Sequence, residues 1–97
     1  MNTLFIISKS PFRHPEVTST LDLVSEGDTI LLIHDAVFAL KHMPDDFWNG
    51  LESLTGKRIN LYALEEDCEA RGIESDDAMV DYDGFVDLIT AADKVVQ

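Results

Sequence analysis

The only cysteine of the chain, Cys68, lies in an acidic segment that follows an apolar stretch. Residues 65–71 read EEDCEAR, and the apolar run before them predicts a strand that leads into a short helix. A thiol in the first turn of a helix is favoured as a thiolate, which is the nucleophilic form of cysteine. The neighbouring carboxylates oppose this effect because negative charge raises a thiol pKa. We expect the carboxylates to prevail, so a structural Cys68 is favoured over a reactive one.

Metal and cofactor chemistry is not indicated by the other polar residues. The three histidines, His14, His34 and His42, do not stand at the i,i+3 or i,i+4 spacing of helical metal ligands, and Cys68 has no second cysteine. The chain contains neither a G-x-G-x-x-G motif nor a P-loop motif. We therefore expect no metal ion, no nucleotide cofactor and no catalytic residue in this chain.

Three aspartates follow predicted strands, at the edge where α/β sheets tend to bind ligands. His34 and Asp35 come after the second strand, and Asp35 is well placed to cap the next helix. Asp81 and Asp83 follow the fourth strand, and Asp83 is the predicted cap of the last helix. A receiver-like magnesium site would need an acidic pair after the first strand, where the chain has Ser-Lys-Ser, so capping is the favoured role.

The charge and composition exclude several classes of protein. Seven basic and nineteen acidic residues give a net charge of −12, which opposes direct binding to a nucleic-acid backbone. A chain of 97 residues is sufficient for one domain with one compact core, so residues 1–97 are predicted to form a single domain. No transmembrane run and no secretory signal are recognised, and a single cysteine fits a reducing compartment. The expected location is the cytoplasm.

The order of hydrophobic segments predicts an α/β fold. Strands are predicted at residues 3–8, 29–33, 59–64, 78–80 and 94–97, each short and the first three apolar on both faces. Helices are predicted after Pro15, at residues 36–40 with an end at Pro44, from residue 45 to a stop at Gly56, and after residue 64. A last helix is predicted to bury Phe85, Val86, Leu88 and Ile89. This alternation is typical of a three-layer domain with a mostly parallel sheet between helices.

In the helix that begins near residue 45, Phe47 and Trp48 are adjacent, so one side chain can face the core while the other stays partly exposed. Core packing is the favoured role, and an interface anchor is the alternative.

The chain resembles the DsrH/TusB family of sulfur-relay subunits, within the wider DsrE-type fold. The resemblance extends over about ninety residues and depends on the order and spacing of several short motifs. These are Ser8-Lys9-Ser10-Pro11-Phe12, Ser25-Glu26-Gly27-Asp28 before Leu31-Leu32, Asp35, Leu61-Tyr62-Ala63-Leu64 with Asp67, Ala70, Arg71 and Gly72, and Val80-Asp81-Tyr82 with Phe85-Val86 and Leu88.

This resemblance implies a non-catalytic subunit of a cytoplasmic complex that passes persulfide sulfur between cysteines. The implied partners are DsrE/TusD-like and DsrF/TusC-like subunits, arranged as a dimer of heterotrimers. The implied pathway is 2-thiolation of the tRNA wobble uridine. Two alternatives are a DsrEFH-type complex in dissimilatory sulfur oxidation and a homo-oligomeric DsrE-fold protein that uses Cys68 as a sulfurtransferase.

The resemblance also bears on which cysteine would carry sulfur. A DsrE/TusD-like subunit has its reactive cysteine eight residues before the glycine that ends the helix after the third strand. Counting back from Gly72, this chain has Leu64 at that position, and it has Thr20 where some DsrH members have a cysteine. Both departures favour a structural role for the chain.

Overall fold

Five parallel strands form one sheet in the computed structural model, which describes residues 2–11, 13–41, 45–52, 54, 58–74 and 79–97. The strands are β1 (Thr3–Ile7), β2 (Thr29–Leu32), β3 (Asn60–Leu64), β4 (Met79–Val80) and β5 (Lys94–Val96). Their order across the sheet is β4-β3-β2-β1-β5, and every neighbouring pair is parallel. The predicted fold class and all five predicted strands are confirmed, with boundaries that differ by one residue at most.

Helical segments lie on both faces of the sheet, but their distribution is unequal. Two 3₁₀ helices (Pro15–Leu23 and His34–Leu40), α1 (Asp45–Glu52) and α2 (Glu65–Ala70) pack on one face. The other face is covered, in the described part of the chain, by α3 (Tyr82–Ala91). The strands are apolar on both sides because each face needs its own core, and β2 is buried along its whole length.

Two clusters of buried side chains form these cores. The larger one lies under the four helical segments and includes Phe5, Leu32, Phe47 and Cys68. The smaller one lies under α3 and contains Leu4, Ile6, Leu31, Ile33 and Leu64. A parallel strand that is covered on both faces needs consecutive apolar residues, and the first two strands have them.

The helix after Pro15 was predicted as an ordinary helix of about ten residues and is instead a nine-residue 3₁₀ helix. Its predicted core side chains Val17, Leu21 and Val24 are nevertheless buried. The predicted stop, Gly27, lies four residues beyond the helix in a turn, with a φ of +88° that favours glycine. The apolar spacing therefore identified the buried face correctly, although it could not distinguish the tighter helix from an α-helix.

The prediction for the last helix is wrong in part. Phe85 and Leu88 pack against the smaller core but are only partly buried, and Val86 and Ile89 are 60% and 40% exposed. A ten-residue helix that crosses a sheet alone can turn only one side toward it, and the remaining apolar residues face outward. In α1, by contrast, the expected division is confirmed, since Phe47 is fully buried and Trp48 is half-exposed.

Some predictions fall outside the described residues: the helix ends at Pro44 and Gly56, and the histidine His42. No helix in the described ranges is both long enough and apolar enough to cross a membrane.

Candidate functional site

The carboxyl ends of the parallel strands meet at one edge of the sheet, and this edge is the default place for a site in an α/β fold. His34 follows β2 by two residues, Glu65 follows β3 directly, and Asp81 follows β4 directly. The helix α2 therefore begins at this edge, next to the 3₁₀ helix His34–Leu40. Of the residues singled out in the sequence, His34, Asp35 and Asp81 lie along this edge, and Cys68 lies in the helix that begins there.

Cys68 is fixed by α2 and points into the larger core. Its side chain is 1% exposed, and it packs in the same cluster as Ala36, Val37 and Ile73. Its backbone carbonyl accepts from the N–H groups of Arg71 and Ile73, which closes the end of the helix. The thiol is therefore part of the packing between α2 and the sheet.

The pKa of the Cys68 thiol is raised, and burial is the largest cause. The negative charges of Asp67 and Glu65 act in the same direction, and the Arg71 guanidinium opposes them. The direction agrees with the expectation from the surrounding carboxylates. Burial was not foreseen from the sequence, and it matters more, because a buried thiol is both less acidic and less accessible to a second sulfur.

Asp67 links α2 to the end of β2. Its Oδ2 accepts from the backbone N–H of His34 at 2.6 Å, and its side chain is mostly buried. His34 has a φ of +50°, the only positive φ of a non-glycine residue in the described part of the chain. A left-handed residue needs support from its surroundings, and the charge-assisted hydrogen bond to Asp67 supplies it.

Arg71 completes this cluster one turn further along. Its Nη1 lies 3.5 Å from Asp67 Oδ1 and donates to the Asp67 carbonyl at 3.3 Å. Its Nε and Nη2 donate to Asp35 Oδ1 at 3.3 and 3.1 Å. The guanidinium also lies over the Phe38 ring, 5.8 Å from the ring centroid. Arg71 thus joins α2 to the 3₁₀ helix after β2.

The predicted capping role of Asp35 is wrong. The residue before that 3₁₀ helix is Ile33, and no side chain caps the helix. Asp35 lies in the first turn and pairs with Arg71, because the 3₁₀ helix begins at His34, two residues earlier than the predicted start at residue 36.

The predicted cap of α3 is wrong by two residues. Asp81 is the N-cap, and its Oδ1 accepts from the N–H of Gly84 at 2.8 Å. Asp83 lies within the first turn, where its charge still suits the helix dipole. The N–H of Tyr82 donates to Glu66 Oε2 at 3.2 Å, which joins the start of α3 to α2. Asp81 is therefore occupied by capping.

The predicted histidines do not converge with other ligands. His14 Nδ1 lies 3.2 Å from Glu16 Oε1 in an exposed pair, and His34 contributes its backbone N–H to the cluster. Within the described ranges there is no group of three or more His, Cys, Asp and Glu side chains arranged to hold a metal ion.

The ion pair between Asp67 and Arg71 was not predicted from the sequence. Asp67 and Arg71 stand at i,i+4, and this spacing alone predicts an ion pair on a helix. Their link to Asp35 and His34 spans more than thirty residues and has no sequence signal. The arrangement holds α2 and the 3₁₀ helix after β2 together, and its three charged side chains, Asp35, Asp67 and Arg71, pair with one another.

Comparison with known proteins identifies the family. The family model described as DsrH like protein matches residues 9–95. The protein TusB of Escherichia coli strain K12 is 39% identical over 89 residues, which cover 88% of each chain. TusB proteins of Erwinia tasmaniensis and Yersinia enterocolitica are 38% and 37% identical, with the same coverage.

A solved structure supports the fold. The solution NMR structure of protein Tm0979 from Thermotoga maritima superimposes with a TM-score of 0.65, covers 91% of each chain and is 22% identical. Taken with the matches in sequence, these similarities show that the chain belongs to the DsrH/TusB family of sulfur-relay subunits.

Proposed function

We propose that this chain is a non-catalytic subunit of a sulfur-relay complex that serves 2-thiolation of the wobble uridine in tRNA. Membership of the DsrH/TusB family and the similarity to TusB proteins support this proposal. The chain would act in the cytoplasm as a single domain of residues 1–97. Its partners would be DsrE/TusD-like and DsrF/TusC-like subunits in a dimer of heterotrimers.

The burial of Cys68 is the observation that carries the proposal. A persulfide relay requires a thiolate that attacks the outer sulfur of an incoming persulfide, so the acceptor must be exposed and ionised. Cys68 is 1% exposed, and its pKa is raised. Both properties support a packing role here and leave the sulfur transfer to cysteines of the partner subunits.

The Asp35–Asp67–Arg71 cluster supports the same role. Its charged groups pair with each other and with the backbone at the edge of the sheet, so they hold the molecule in one shape. The net charge of −12 also favours partners that contact tRNA in place of this chain. These features support a structural subunit that supports its partners, in preference to a subunit that transfers sulfur itself.

Two experiments test the proposal. The first is light scattering of the chain co-expressed with the DsrE- and DsrF-like subunits of the same organism. A stable species with two copies of each chain is expected. If the chain elutes alone, the subunit role is overturned.

The second experiment measures 2-thiouridine in tRNA by mass spectrometry after deletion of the gene. We expect the modification to fall and to be restored equally by the wild-type chain and by Cys68→Ala. A Cys68→Ala variant that assembles but does not restore thiolation would identify Cys68 as a sulfur carrier. Unchanged thiolation, together with lost oxidation of reduced sulfur, would favour the DsrEFH-type pathway.

A further inference from the structure

The face of the sheet under α3 has much less cover than the opposite face. Four helical segments pack on the larger core, whereas α3 alone crosses the smaller core among the described residues. This helix joins β4 at one edge of the sheet to β5 at the other edge. The side of α3 that faces away from the smaller core is therefore uncovered by other described helices.

The outer side of α3 carries an unusual set of exposed apolar residues. Tyr82, Val86 and Ile89 are 57%, 60% and 40% exposed, and their i,i+4,i+7 spacing places them in one row along the helix. Val95 of β5 is 38% exposed and pairs in register with Leu4 of the smaller core, so it lies on the same side of the sheet. We call these four residues the α3 patch.

The charge beside the α3 patch indicates what could cover it. Asp83 and Asp87 are exposed and four residues apart, so they form an acidic row next to the apolar one. The helix Tyr82–Ala91 contains no lysine or arginine. A second copy of this chain would bring two such acidic rows and two net charges of −12 together, and like charges across an interface are unfavourable.

We propose that the α3 patch is a docking surface for a different protein chain, one that offers an apolar groove bordered by lysine or arginine side chains. The apolar row would supply the desolvated centre of the interface, and Tyr82 would supply an aromatic anchor. Asp83 and Asp87 would form ion pairs at its rim and speed association. This inference rests on the proposed function, because it names the surface through which the subunit joins its complex.

The first test replaces Val86 by lysine and measures binding of the purified variant to the co-purified DsrE- and DsrF-like subunits by calorimetry. Because Val86→Lys places a charge in the apolar centre and opposes a basic rim, we expect the Kd to rise by about tenfold or more. The matched control is Leu23→Lys, since Leu23 is 65% exposed and lies in a helix on the opposite face. Its Kd is expected to stay within about twofold of wild type. Circular dichroism and thermal unfolding establish that both variants are folded.

The second test removes the acidic row without touching the apolar one. The double variant Asp83→Asn with Asp87→Asn is expected to bind more weakly and with a smaller dependence of Kd on salt concentration. The control pair is Asp22→Asn with Glu26→Asn, which are also exposed and lie in and after the first 3₁₀ helix. Both double variants change the net charge by the same amount. A difference between their Kd values therefore reports the position of the charges beside the α3 patch.

The outcomes distinguish the two proposals. If the wild-type chain forms no complex, the proposed function fails, and the docking inference fails with it. If the wild-type complex forms and Val86→Lys binds as tightly as Leu23→Lys, the docking inference alone is overturned. It is also overturned if Val86→Lys abolishes self-association of the isolated chain, measured by sedimentation, and leaves binding to the subunits unchanged, because the patch would then join two copies of this chain.

Discussion

The backbone N–H of His34 donates to Asp67 Oδ2 over 2.6 Å, which joins the end of β2 to the helix after β3. His34 adopts a φ of +50°, a conformation that side chains other than glycine seldom take. The carboxylate of Asp67 is mostly buried, and it also lies 3.5 Å from the Arg71 guanidinium. One buried acceptor therefore stabilises both a strained turn and an ion pair.

Replacing Asp67 by alanine is expected to lower the free energy of unfolding by about 1–3 kcal/mol, because the His34 N–H loses its charged acceptor. Asp67→Asn keeps an acceptor oxygen and should fall between the wild type and Asp67→Ala. Urea denaturation followed by circular dichroism measures the change. The control is Asp22→Ala, an exposed aspartate, with an expected change within about 0.5 kcal/mol. Equal effects of Asp67→Ala and Asp22→Ala would contradict the assigned role.

The pair formed by Asp35 and Arg71 is expected to contribute much less. The Asp35 side chain is 64% exposed, so water screens its attraction to Arg71. A double-mutant cycle with Asp35→Ala and Arg71→Ala should give a coupling energy of about 0.2–1 kcal/mol. The single variant Arg71→Ala should cost more than Asp35→Ala, because it also leaves Asp67 and the Phe38 ring without the guanidinium. A coupling energy of zero would mean that the two residues are merely neighbours.

The strands of this protein could be predicted well from its sequence. The central strands β1 and β2 are short apolar runs buried on both faces, which leaves the unbroken pattern of a covered parallel strand in the sequence. The site was predicted less well. The acidic segment around Cys68 is visible in the sequence, but the depth of burial that raises the thiol pKa depends on how α2 packs on the sheet.

The helix caps were the least predictable features. Whether an aspartate caps a helix depends on the residue at which the helix begins. Tertiary contacts can move that start by one or two residues, and the local sequence does not record them. At His34, Asp67 accepts from the backbone N–H and Asp35 is drawn to Arg71. At the start of α3, Glu66 accepts from the N–H of Tyr82, and the cap is Asp81, two residues before the predicted one. In both cases the deciding contacts come from α2 and the residue that ends it. These contacts are distant in sequence, so no local pattern predicts them.

The cap of α3 gives a direct comparison between two aspartates two residues apart. Asp81→Ala should lower the free energy of unfolding by about 1 kcal/mol, because the N–H of Gly84 loses its acceptor. Asp83→Ala should cost only about 0.3–1 kcal/mol, since it removes a favourable charge and no cap. Chemical denaturation of the two variants measures the difference. A larger loss of stability for Asp83→Ala than for Asp81→Ala would indicate that Asp83 is the cap, as the sequence predicted.

The raised pKa of Cys68 predicts how stability depends on pH in the alkaline range. In the unfolded chain the thiol ionises near its ordinary pKa, whereas the folded state keeps it protonated to higher pH because the thiol is buried. The folded state then binds more protons, so this contribution is fully present below the ordinary pKa and is lost as pH rises. The wild-type free energy of unfolding should therefore fall by up to about 1.4 kcal/mol per pH unit more than that of a variant without the thiol.

The variant for comparison is Cys68→Ala, which lacks the ionisable group and leaves every other titrating residue in place. At neutral pH the wild type should be more stable by about 1–2 kcal/mol, because the alanine leaves a small cavity in the larger core. Denaturation curves from about pH 7 to about pH 10 should show this gap closing. A gap that stays constant would mean that the folded thiol ionises as readily as the unfolded one, which would contradict the raised pKa. Such a thiol would be available as a thiolate, and the argument that Cys68 is too weakly acidic to carry sulfur would lose its support.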